Sequence, residues 1–163
     1  MSENTYSAQI AQAVSDFLTE DDWKFGFEED AGIFKMSLSI GGKLKSVNMF
    51  IDIGENDFVV YAYSPVGVDA DDGDRMADMA EFICRANYGL KNGNFEFDMR
   101  DGSVRYKCFV DCSDGVPGTD VIKSSVICPG SMFNIYSEGI AGVIFGILSP
   151  GEAIEKCESG HFQ

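Results

Sequence analysis

The side chains able to do chemistry are few and poorly placed for it. His161 is the only histidine and stands third from the C-terminus, where chain ends fray. With no other histidine, Ser/His and Cys/His nucleophile pairs are excluded. Five cysteines are present, at Cys84, Cys108, Cys112, Cys128 and Cys157. No two form a C-x-x-C pair, and Cys108 falls on the inward side of a predicted strand. Buried, unreactive thiols are expected rather than a zinc or redox site. Asp69, Asp71, Asp72 and Asp74 surround Gly73 and invite a calcium reading. Counted as an EF-hand loop with Gly73 sixth, however, Val68, Ala70 and Met79 stand where carboxylates are required. A solvated loop and helix cap is the expectation. Carboxylate pairs have no diagnostic value in so acidic a chain, and Gly139-x-x-Gly142 follows no strand that would make it a phosphate loop. No catalytic, cofactor-binding or metal-binding residue is assigned, and no enzyme is expected.

Composition narrows the class further. The 163 residues carry 12 Lys and Arg against 27 Asp and Glu, a net charge of −15. A field of that sign repels nucleic-acid backbones and anionic membrane surfaces. Apolar residues make up 45% of the chain, with 13 Phe, enough for a core without disulfides or metal. One domain spanning 1–163 is expected. Met1 to Leu18 lacks the basic start and apolar run of a signal peptide. The most apolar stretch, Gly139 to Leu148, is half the ~20 residues a membrane span needs. With an odd number of cysteines and no export signal, a cytoplasmic location is expected.

The elements that position these residues follow from periodicity. Asn4 to Leu18, with Tyr6, Ile10, Val14 and Phe17/Leu18 at helical spacing, predicts a first helix. Trp23, Phe25 and Phe27 alternate with polar residues, as an edge strand or an extended lead-in. Ile33 to Ile40 predicts a strand with Phe34, Met36, Leu38 and Ile40 inward. A two-residue turn at Gly41-Gly42 would set Met36 opposite Val47 and Phe34 opposite Met49. A turn over Gly54 to Asp57 leads into a strand from Phe58 to Ser64. A helix over Arg75 to Ala86, capped by Asp72 or Asp74, would bury Met76, Met79, Ala80, Ile83 and Ala86.

The second half continues the pattern. Phe95, Phe97 and Met99, then Val104, Tyr106 and Cys108, predict a hairpin about Asp101-Gly102. That turn would oppose Asp98 to Arg105, Glu96 to Lys107, Phe97 to Tyr106 and Phe95 to Cys108. Asp120 to Cys128 predicts a short helix, and Pro129 either breaks it or opens the next, over Ser131 to Leu148. Gly139, Gly142 and Gly146 cost that helix about 1 kcal/mol each in propensity, so close packing there is expected. Pro150 ends it, and Gly151 to Glu158 adds a turn or two. The order is helix, three strands, helix, two strands, helix: an α+β fold on an antiparallel sheet of about five strands.

Within this pattern the run Phe82-Ile83-Cys84-Arg85-Ala86-Asn87-Tyr88-Gly89-Leu90, followed by Gly93-Asn94-Phe95-Glu96, resembles the signature of the YbjN-domain family. Tyr61-Ala62-Tyr63-Ser64-Pro65 and Ser149-Pro150 with Glu152-Ala153-Ile154 agree with it. The resemblance covers Trp23 to Glu158. It implies a type III secretion chaperone-like fold and a bacterial regulator of sensory transduction. Proteins of that fold form dimers and hold a partner polypeptide in extended form. Asn87, Gly89, Gly93 and Asn94 read as structural positions of the motif: Asn87 and Gly89 suit a left-handed helix end, and Gly93 a turn into the next strand.

The expected hairpins leave an outward row of Ile33, Phe50, Tyr61 and Tyr63, with Ile33 opposite Phe50, Phe50 opposite Tyr61 and Asn48 opposite Tyr63. Either a helix covers this row or it is a dimer or partner surface. Phe82, about 100° round its helix from Ile83, is a second candidate for a homodimer interface. The function expected is a non-enzymatic, chaperone-like scaffold or regulator that binds itself and a protein partner not identifiable from sequence. The alternative is a small-molecule sensor with a pocket between the sheet and the glycine-interrupted helix.

Overall fold

The structure is a computed structural model that describes residues 5–160. Residues 1–4 and His161 therefore lie outside the description. Helix α1 (Ala8–Glu20) starts at Ser7, whose hydroxyl accepts the Ile10 amide at 3.2 Å. It buries Ile10, Ala11, Val14, Phe17 and Leu18. Four strands follow: β1 (Phe25–Glu28), β2 (Ile33–Ser39), β3 (Ser46–Ile53) and β4 (Asp57–Tyr63). After α2 (Gly73–Asn87) come β5 (Asn94–Phe97) and β6 (Val104–Asp111), then α3 (Thr119–Ile144) and α4 (Pro150–Glu158). The sheet is antiparallel and six-stranded, in the order β1-β2-β3-β4-β6-β5. The Trp23–Phe27 segment thus does supply a strand. It pairs Phe27 with Phe34, and the two rings stack at 4.4 Å.

Both expected hairpin registers are corrected by two residues. In the first, Met36 faces Met49 and Phe34 faces Ile51, so Ile33 lies opposite Asp52 rather than Phe50. The loop is Gly41 to Leu44, closed by Ile40 N–H donating to the Lys45 carbonyl. It is longer because Leu44 dips into the core at 5% exposure, a gain that a Gly41-Gly42 tight turn would forfeit. In the second, Glu96 faces Arg105, Phe95 faces Tyr106 and Phe97 faces Val104. Here Asp98 captures both the Arg100 amide at 2.8 Å and its guanidinium, starting the turn early. That hydrogen-bonded ion pair holds the Asp98 carboxyl down to about 2. Gly102 closes the loop at φ +76, where a side chain would strike the Val68 carbonyl. Because the side-chain period is two, slips of two residues leave the paired strand residues on their expected faces, but Met99, expected inward with Phe95 and Phe97, falls in the loop beyond β5 and is exposed.

All four helices lie on one side of the sheet. Phe34, Val47, Met49, Ile51, Phe58, Val60, Ala62, Tyr106 and Cys108 point into them and are fully buried. Asp72 caps α2 by accepting the Arg75 amide. The helix sits in a three-sided space between the sheet, α3 and α4, so its apolar stripe is wider than expected. Ala80 is half-buried, whereas Phe82 is fully buried beneath the Tyr136 ring. The expected pair of helices about Pro129 is one 26-residue helix, with Pro129 buried inside it. Its glycines are packing sites: a Cβ on Gly139 would lie 2.7 Å from Phe82 and Cys157, and one on Gly130 would meet Leu38. Gly146 falls beyond the helix at φ +69, and Ser149 and Glu152 form a capping box that starts α4.

Candidate functional site

Among the described residues, nothing covers the face of the sheet away from the helices. Strand alternation sends Ile33, Lys35, Asn48, Phe50, Asp52, Tyr61 and Tyr63 outward, and these line a shallow depression of 570 Å³. Phe50 faces Tyr61 and Asn48 faces Tyr63, as the tight Gly54–Asp57 turn led one to expect. The Phe50 and Tyr63 rings meet edge-on at 5.7 Å. Ile33, Phe50, Tyr61 and Tyr63 are each half-exposed, and Phe109, further along the same face, is 58% exposed.

Pairing of β4 with β6 brings Arg105 beside Tyr63 and Lys107 beside Tyr61. Arg105 donates to the Tyr63 hydroxyl at 2.7 Å, and its guanidinium sits 4.3 Å over the Tyr61 ring. It also ion-pairs with Glu96, which takes a second cation, Lys107, at 2.7 Å. Burial alone would raise the Glu96 carboxyl; hydrogen bonds from Lys107 and Arg105 outweigh it and hold the group below its ordinary value. Burial likewise opposes the charge on Arg105, and its bonds to Tyr63 and Glu96 restore and exceed what is lost. Lys35 pairs with Glu28 at 2.6 Å. In the centre of the face, Lys35, Arg105 and Lys107 therefore balance Glu28, Asp52 and Glu96. A chain of net charge −15 has here an aromatic surface whose own charges cancel. Arg105 as the residue that fixes the tyrosines was not expected. Strands β4 and β6 are separated in sequence by α2 and β5, and no turn announces their register.

Of the expected surface residues, Ile33, Phe50, Tyr61 and Tyr63 are brought together, and Phe82 is not among them. Phe82 is in the core, so its place on an exposed flank is corrected. The motif residues act at the α2–β5 junction. The Asn87 side chain accepts the Phe95 amide at 2.7 Å and donates to the Phe95 carbonyl at 2.9 Å. Gly89 and Gly93 have φ of +89 and +74, and a Cβ on Gly93 would collide with the Lys107 carbonyl. Asn94 donates to the Phe95 carbonyl at 3.0 Å. Asn87 thus ends the helix through its side chain, not through a left-handed backbone.

The thiols divide. Cys108, Cys112 and Cys157 are buried, Cys84 is exposed and Cys128 lies between, which corrects the expectation that all are buried. Among the described residues, no group of three or more His, Cys, Asp or Glu side chains is placed to hold a metal. Among them, too, no helix is long and apolar enough to cross a membrane. On the sheet side of α3, where the alternative reading placed a pocket, Gly130 packs against Leu38, and the Phe133 and Tyr136 rings meet Phe95 edge-on at 5.5 and 5.4 Å.

An antiparallel sheet with every helix on one face is the α+β architecture that the sequence pattern implied. Among solved structures, the chain shares its fold with YbjN from E. coli, a proposed transcription regulator. The TM-score is 0.56 at 12% identity, over 83% of this chain and 89% of YbjN. A weaker likeness is to a chain of the ExsC–ExsE complex, at TM-score 0.45 and 12% identity over 78% of this chain and 92% of that one. No protein-family model matches the sequence, and no curated protein does.

Proposed function

We propose that the chain is a non-enzymatic protein-binding module that works as a homodimer in the cytoplasm, and that the open sheet face is its interface. The single observation that carries this reading is the one-sided placement of the helices. It leaves Ile33, Phe50, Tyr61 and Tyr63 lining one depression that no described residue covers. Charge selects the occupant. Two copies at −15 each repel wherever their acidic surfaces meet. They approach without that penalty only at a face whose charges cancel, and the centre of this sheet is such a face. A two-fold axis there would set each aromatic row against the other. If the chain is a regulator, its charge directs it to proteins and away from DNA.

Light scattering on the wild type and on Phe50→Asp tests the reading, with a thermal melt confirming that the variant folds. The expected result is twice the 17.8 kDa chain mass for the wild type and the single-chain mass for Phe50→Asp. A wild-type monomer at micromolar concentration overturns the homodimer. A dimer indifferent to the substitution removes the interface from this face.

A further inference from the structure

Two cysteines from distant parts of the sequence meet beneath the loop that joins α2 to β5. Cys108 points inward from β6 and is fully buried. Cys128 lies on α3 and is partly open to solvent. The Asn92 carbonyl gathers the cluster: it accepts the Cys128 thiol at 3.5 Å and the Tyr106 hydroxyl. Gly93, next in the chain, presses on the same groups. A Cβ there would stand 2.9 Å from the Cys108 sulfur and 2.7 Å from the Tyr106 ring. Both sulfurs therefore border the same Asn92-Gly93 segment. Loop residues Lys91 and Asn92 above them are exposed, so a small solute has a short way in.

The pair is asymmetric. Cys128 is partly open to solvent while Cys108 is fully buried; the neighbouring Cys108 lowers the Cys128 thiol, and Cys128 together with burial raises Cys108. The more exposed sulfur is therefore the better nucleophile, and the buried one stands behind it. Pro129 follows Cys128 and has no amide to give the Ser125 carbonyl, so the helix is slackest where the sulfur must move. A disulfide needs its Cβ atoms about 3.5–4.5 Å apart, and the slack at Pro129 is what lets Cys128 close on Cys108.

We propose that Cys128 and Cys108 form a peroxide-reactive dithiol site, with hydroperoxides as the substrate class and an intrachain disulfide as the product. The Cys128 thiolate attacks the terminal peroxide oxygen, the O–O bond breaks, and the departing oxygen leaves as alcohol or water with the thiol proton. Cys128 is then a sulfenic acid. The Cys108 sulfur attacks that sulfur, the S–O bond breaks, and hydroxide leaves as water with the Cys108 proton. Two thiols are oxidised and one peroxide is reduced. A thiol reductant restores the pair.

The test uses the full chain carrying Cys84→Ser, which removes the exposed competitor, treated with hydrogen peroxide. Alkylation in denaturant and peptide mapping then follow. The expected product has lost two hydrogen atoms and two alkylatable thiols, with the Cys108 and Cys128 peptides linked and released by dithiothreitol. Adding Cys128→Ser, at a half-exposed site that tolerates it, abolishes the link. Adding Cys108→Ala stops the reaction at a sulfenic acid on Cys128 that dimedone captures. If Cys108→Ala does not fold, the parent and Cys128→Ser still decide. Full retention of alkylatable thiols, or a link through Cys112 or Cys157, overturns the proposal.

Discussion

The two faces of the sheet come from the same six strands and differ in every other respect. On the helix side, Phe34, Val47, Met49, Ile51, Phe58, Val60, Ala62 and Tyr106 are fully buried. On the other, Ile33, Phe50, Tyr61 and Tyr63 remain half wet, braced by Arg105 and by ion pairs at Glu28 and Glu96. The first face is explained by folding alone. The second has more aromatic surface than a solvated sheet face requires, and the charges at its centre are balanced, with Asp57 and Asp111 adding unbalanced acid only at its end. That difference is what the proposed interface rests on.

Truncation of one large side chain on each face should split the faces most widely. Phe82→Ala, on the helix side, removes a ring packed against Tyr136 and is expected to cost about 3–5 kcal/mol of unfolding free energy. Phe50→Ala, already half-exposed, is expected to cost about 1 kcal/mol in dilute solution. Urea unfolding of both variants measures the gap. Equal losses would mean that Phe50 serves the core and would erase the distinction.

A smaller effect sharpens the open face. Glu96 holds Arg105 and Lys107 together, and its carboxyl is depressed in the folded state. A depressed folded value means that the stabilisation is present above the unfolded carboxylate value and is lost as pH falls through the folded one. Glu96→Gln should therefore lose about 0.2–1 kcal/mol at neutral pH, the range of partly exposed ion pairs. The two proteins should converge in stability as pH falls through and below the ordinary glutamate range. Thermal melts across that range would reveal it. A gap that persists in acid would show that the ion pairs are not its source.

Legibility from sequence followed the range of the physical signal. Strand alternation is local, so every strand face was readable, and the Phe50–Tyr61 pairing with it. Loop closure is decided by tertiary rewards. Leu44 in the core and Asp98 on Arg100 each lengthened a turn that Gly41-Gly42 and Asp101-Gly102 alone would have kept short. Pro129 reads as a helix break, yet packing on both sides carries α3 through it. Phe82 looked exposed because one stripe was enough to dock α2 on a sheet; α3 and α4 provide the second surface. Arg105 was legible as half of an ion pair and illegible as the partner of two tyrosines, since β4 and β6 meet only after α2 and β5 are in place. The convergence of Cys108 and Cys128 was hidden for the same reason.

Site-specific photo-crosslinking tests the working face most directly. A photoreactive phenylalanine analogue replaces Tyr61 on the open face in one sample and Val121 in another, an exposed residue of α3 on the helix side. After illumination of purified protein, a crosslinked species of two chains from the Tyr61 position, and none from Val121, is the result expected. Crosslinked dimer from Val121 alone, or single chains from both, would contradict the assignment of the open face.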